Sequence, residues 1–93
     1  MNMSKTAAIS KARREVTVCR FGRDYVVHTW DERAKATRIS HAMPYHAARN
    51  VAAAHKLEVA LLCMGWDADN AAFTAYNSYE PGTRWEALVK EDN

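Results

Sequence analysis

Arg20, Arg23, Arg33, Lys35 and Arg38 fall within nineteen residues that also hold Phe21, Tyr25, His28 and Trp30. Guanidinium and ammonium groups attract phosphate, and planar rings offer faces on which unpaired bases stack. The mixture therefore suits single-stranded nucleic acid or a ribonucleoprotein surface, and the five cations are the candidate binding residues. Other chemistry has less support. The sequence holds no P-loop, G-x-G-x-x-G turn, G-x-S-x-G elbow or H-E-x-x-H pair. His41 and His46 stand five residues apart with no thiol or carboxylate at ligand spacing beside them. Cys19 and Cys63 lie in unrelated segments with no C-x-x-C spacing. Both cysteines read as reduced thiols, and no metal or cofactor is expected. The carboxylates scatter over helix starts and the C-terminal half, so no pair stands out for acid–base work and catalysis is not expected.

The element that must position the rest is a helix from Pro44 to Met64, 21 residues and about 31 Å long at ~1.5 Å per residue. Pro44 fits its first turn, Gly65 fits the left-handed position past its end, and no Gly or Pro interrupts it. Ala47, Ala48, Val51, Ala52, Ala54, Leu57, Val59, Leu61 and Leu62 fill a broad apolar arc, with Arg49 and Lys56 on the opposite side. An arc that wide calls for more than one covering neighbour. His55 and Glu58 interrupt it. They read as an edge pair or as partners of a strand residue, since buried charges are paired; a binding or catalytic pair is the alternative.

Upstream, Ser4 caps a short helix ending near Arg14, with Ala7, Ala8, Ile9 and Ala12 as its apolar side. Two β-rich runs follow, 15–21 and 24–30, joined by Gly22-Arg23, where Gly in the first turn position predicts a type II′ hairpin pairing Phe21 with Asp24 and Thr17 with His28. Ala36 to Ser40 is a third strand with Ile39 pointing inward. Downstream, Asp67 caps a helix over Ala68 to Asn77, and Thr83 with Glu86 forms a capping box for a last helix carrying Trp85, Leu88 and Val89. The expected fold is α+β: a three-stranded antiparallel meander packed against one long helix, with short helices at both ends.

Ninety-three residues suffice for one domain, 1–93, with a modest core, and 48% apolar content excludes a largely disordered chain. No apolar run approaches the ~20 residues that cross a bilayer, and Met1 to Arg14 lacks the apolar core of a signal peptide. A cytoplasmic protein without a membrane partner or small-molecule substrate is expected. The net charge of +2 divides unevenly. Residues 1–56 carry eleven Lys and Arg against four Asp and Glu, and residues 57–93 two against seven. If the fold keeps these halves apart, a basic face can meet a polyanion.

The long helix, Gly65 and the helix after it could be mistaken for a helix-turn-helix, but the second helix holds Asp69 and no Lys or Arg, which opposes docking against phosphates. The segments VTVCRFGRDYVVHTWD (Val16 to Asp31), ATRIS (Ala36 to Ser40) and PYHAARNVAA (Pro44 to Ala53) resemble the small phage-encoded anti-CRISPR proteins that inhibit type I systems, type I-F in particular. The resemblance covers about half the chain and rests on size, hairpin and helix entry. It implies a non-enzymatic inhibitor in the bacterial host cytoplasm that docks on subunits of the RNA-guided surveillance complex, reaches its guide RNA, and blocks pairing with target DNA. The alternative is a small phage or prophage DNA-binding regulator; a toxin or antitoxin partner is a third class.

Overall fold

A computed structural model describes residues 2–91. Its element order follows the local signals. Ser4 accepts a hydrogen bond from the Ala7 amide at 3.2 Å and opens α1, Lys5–Glu15. The chain then runs straight into β1, Val16–Phe21, turns at Gly22-Arg23 into β2, Asp24–Asp31, and returns as β3, Ala36–Ile39. Gly22 takes φ +64° and Arg23 does not share the positive φ, as a type II′ turn requires. The turn sets the register Phe21 to Asp24, Arg20 to Tyr25 and Thr17 to His28, as the sequence predicts. The strands lie in chain order in an antiparallel sheet. Beyond β3 the pairing resumes once, between Tyr25 and Met43, which delivers the chain to α2.

The longest element is α2, Tyr45–Cys63. Pro44 stands at its N-cap, one residue ahead of the expected N1 position, where its missing N–H costs nothing. At the other end Gly65 has φ +97°, its amide donates to the Leu62 carbonyl at 3.0 Å, and the Trp66 amide reaches the Leu61 carbonyl at 3.1 Å. These two bonds make a Schellman ending, which only a left-handed residue after the cap allows. The Met3 amide satisfies the Cys63 carbonyl at 2.9 Å, so the N-terminal segment completes the same helix end.

Three expectations need correction. The segment Ala68 to Asn77 is not one α-helix: α3, Ala68–Phe73, widens into a π-turn over Thr74–Ser78. Nor is there a last α-helix, because Trp85–Leu88 is a single 3-10 turn whose N-cap is Arg84. The anticipated capping box does not form there, since the Glu86 carboxylate is taken by Arg13 at 2.8 Å. Ile39 faces outward, because its pairing with His28 puts it on the side of the sheet away from α2, where it is 62% exposed.

The broad apolar arc of α2 is covered on two sides. On one, Ala48 and Ala52 meet Val16, Val27 and Met43 in a small core under the sheet. On the other, Leu57, Ala60 and Leu61 meet Ala8 and Ala12 of α1, Ala71 of α3, Ala75, Trp85 and Val89. The first helix, marginal alone, docks through its two buried alanines. Ala47 and Leu62 at the arc's edges stay exposed. No helix among the described residues is long and apolar enough to cross a membrane.

Candidate nucleic-acid interface

Among the described residues the helices pack on one side of the sheet, which leaves the other side largely open. Alternation along the strands puts Thr17, Cys19, Phe21, Val26, His28 and Trp30 on that outer face, and the second register adds Thr37 and Ile39. Phe21 is 66% exposed and Ile39 62%. Val26 is buried between them and floors a shallow depression walled by Cys19, Phe21, His28 and Ile39. Exposed apolar surface on an open sheet is a feature of binding faces.

The five candidate cations do not converge. Arg20 and Arg23 stand at the hairpin end. Arg20 pairs with Tyr25 on the inner side, and its Nε donates back to the Gly22 carbonyl at 3.1 Å, which braces the turn. Arg33 and Lys35 stand at the opposite end, in the turn between β2 and β3, about 23 Å away along a strand that rises ~3.3 Å per residue, while Arg38 lies within β3 and pairs with Thr29 on the inner side, lining one depression with Glu58. That second set is partly neutralised. Lys35, at φ +52°, pairs with Glu32 at 2.5 Å, and Arg38 lies 3.9 Å from Asp31. Asp31 also accepts the Arg33 and Ala34 amides at 3.0 and 3.1 Å, an Asx-type turn that fixes the loop. Hydrogen bonds from Lys35 and from the Trp30 indole hold the Glu32 carboxyl below its ordinary range. Arg23 and Arg33 pair with no carboxylate among the described residues.

The rings divide as well. Phe21, His28 and Trp30 belong to the outer face, whereas Tyr25 turns inward and packs on Tyr45, ring centres 4.9 Å apart. The Arg49 guanidinium covers the other partner of that stack, 5.7 Å from the Tyr45 ring.

His55 and Glu58 find their partner in a helix residue. The Tyr76 hydroxyl donates to Glu58 Oε1 at 2.6 Å and lies 2.7 Å from His55 Nδ1. A phenol has one proton, so if it serves Glu58 then His55 Nδ1 must carry its own hydrogen and donate to the phenol oxygen. The resulting chain, His55 to Tyr76 to Glu58, ties the π-turn to α2. The neighbouring His55 imidazole, 4.0 Å away, and the hydrogen bond from Tyr76 hold the Glu58 carboxyl below its usual range against the opposing effect of burial, while burial and then Glu58 push the Tyr76 phenol above its own. In the sequence Tyr76 falls inside the expected helix over Ala68 to Asn77, among its apolar residues Ala72 and Phe73. The i, i+3 spacing of His55 and Glu58 was the available signal, but nothing in the sequence identified which hydroxyl would cross over to them.

Among the described residues no group of three or more His, Cys, Asp or Glu could hold a metal ion. Cys19 and Cys63 are free, half-buried thiols on separate elements, and burial pushes the Cys63 thiol up. No protein family, curated protein or solved structure matches this chain.

Proposed function

We propose that this protein is a non-catalytic inhibitor of the anti-CRISPR kind. It lays the outer face of its sheet on a type I RNA-guided surveillance complex and obstructs pairing of the guide RNA with target DNA. The observation that carries this reading is the bare sheet face, where Phe21 and Ile39 stand exposed between two sets of cations at its ends. Apolar and aromatic groups at the centre with charge at the rim suit a protein or ribonucleoprotein partner better than a duplex groove. The regulator alternative is weaker, since α3 has six residues, includes Asp69 and lacks any Lys or Arg.

The test is binding of the purified protein, side by side, to a type I surveillance complex, a short single-stranded RNA and duplex DNA. Saturable binding to the complex with loss of target capture is expected. Binding to duplex alone, with sequence preference, would transfer the assignment to a regulator. Toxicity on expression in a host without any CRISPR system would instead point to a toxin or antitoxin partner.

A further inference from the structure

The long helix carries a second basic region near its N-terminal half, and here cations from separate segments line one groove. His46, Arg49 and Asn50, one turn of α2, face Thr83, Arg84 and Glu86 across a groove of about 520 Å³, a size within the ~300–1,000 Å³ of small-ligand sites. The groove opens where the face of α2 that buries Leu57 and Leu61 runs past the helical core toward its N-terminus. Glu86 accepts Arg13 at 2.8 Å and stands 4.0 Å from Arg84. Lys56 belongs to the same electrostatic group: burial holds its ammonium below the ordinary lysine range, Glu86 opposes that, and Arg13 and Arg49 reinforce it. Arg13, Lys56 and Arg84 thus gather around the Glu86 carboxylate, with Arg49 near Lys56 and lining the same groove while its guanidinium rests on Tyr45, and among the described residues Glu86 is the only carboxylate paired with any of the four. The chain brings them from three segments, including the otherwise acidic C-terminal half. An uncompensated excess of positive charge around a polar groove is an arrangement that an anion completes, and arginines on two walls suit the forked geometry of phosphate oxygens. Asn50 and Thr83 add neutral hydrogen-bonding groups.

We propose that this groove binds a phosphate ester, with Arg49 and Arg84 gripping the phosphate from opposite walls. The ester is either a free nucleotide or the phosphorylated end of a nucleic-acid strand. The site shares no residue with the outer sheet face, so it stands or falls independently of the docking reading.

Calorimetric titration with adenosine 5′-monophosphate against adenosine, and with a 5′-phosphorylated tetranucleotide against its 5′-hydroxyl counterpart, tests the proposal. The phosphorylated member of each pair is expected to bind at least about tenfold more tightly. Tighter binding of the mononucleotide would identify the free nucleotide as the source, and tighter binding of the tetranucleotide the strand end. The double variant Arg49→Glu, Arg84→Glu should abolish the phosphate preference, while Lys5→Glu on α1 should leave it intact. Arg49 is exposed and the Arg84 side chain is 82% exposed, so a cooperative melt is expected to persist in the double variant. Arg49→Gln, Arg84→Gln should then show an intermediate loss. Equal binding of phosphorylated and dephosphorylated probes, or a preference unchanged in the double charge reversal, would overturn the proposal.

Discussion

The two sides of α2 are finished differently. Toward α1, α3 and the C-terminal segment the helix is enclosed, and Leu57 and Leu61 are completely buried. Toward the sheet it is covered by one layer only, with Val16 and Val27 as the largest fully buried side chains, and the far face of that layer is open. Ninety-three residues can wrap one long helix, but they do not also supply a second layer behind the sheet. The helical side therefore holds most of the stability, and the far face of the sheet stays open.

The largest effects should come from the enclosed side. Leu57→Ala or Leu61→Ala is expected to lower stability by about 2–5 kcal/mol, as deletion of a fully buried leucine does. Val27→Ala under the sheet should cost about 1–3 kcal/mol. Denaturant midpoints compare the two directly, and equal losses would break the asymmetry.

A smaller effect should come from the tie between the π-turn and α2. Tyr76→Phe removes its only hydroxyl, at a cost of about 1 kcal/mol. The tie also predicts the sign of a pH dependence. The native phenol titrates above its unfolded value of 10.0, so its contribution is complete below that value and is lost as pH rises past it. Glu58 titrates in the native state below its unfolded value of 4.5, so its contribution is present above that value and is lost as pH falls through the native one. Melting temperatures at alkaline and acid extremes should therefore fall more in the wild type than in Tyr76→Phe, and parallel profiles would show that the cluster carries no linkage.

Smallest of all should be the effect on stability of Phe21→Ser and Ile39→Thr. Both side chains are already exposed, and changes within about 0.5 kcal/mol are expected. A large loss would mean that the outer face is covered by something, a second copy included.

How much of this was legible in the sequence varies with the distance over which each feature is decided. Gly22 set the hairpin register, and Ser4, Asp67 and Gly65 marked helix ends, because each acts on the backbone within a turn of itself. Thr83 and Glu86 had the same kind of local signature but were overridden, since Arg13, 73 positions away, captures the carboxylate. Ile39 was misplaced because a four-residue strand carries too little alternation to show its inner side. The candidate cations were visible as residues, but their separation to two ends of the sheet follows from the length of β2 and the turns beside it. Arg84 lay in an acidic segment, and only the packing of the C-terminal segment on α2 brings it to Arg49. Charge counted along the chain was for that reason a poor guide to charge in space.

The central claim, that the open sheet face and the cations at its ends form the docking surface, is tested most directly by salt titration of binding to a type I surveillance complex. The comparison is between the wild type and a variant with Arg20, Arg23, Arg33, Lys35 and Arg38 all reversed in charge. For the wild type, affinity should fall log-linearly with salt. In the variant both affinity and slope should drop, the slope by about one for each phosphate contact removed. Arg23 and Arg33, which pair with no carboxylate among the described residues, should account for more of the loss than Lys35 and Arg38. An unchanged affinity and slope in a variant that still melts cooperatively would contradict the claim.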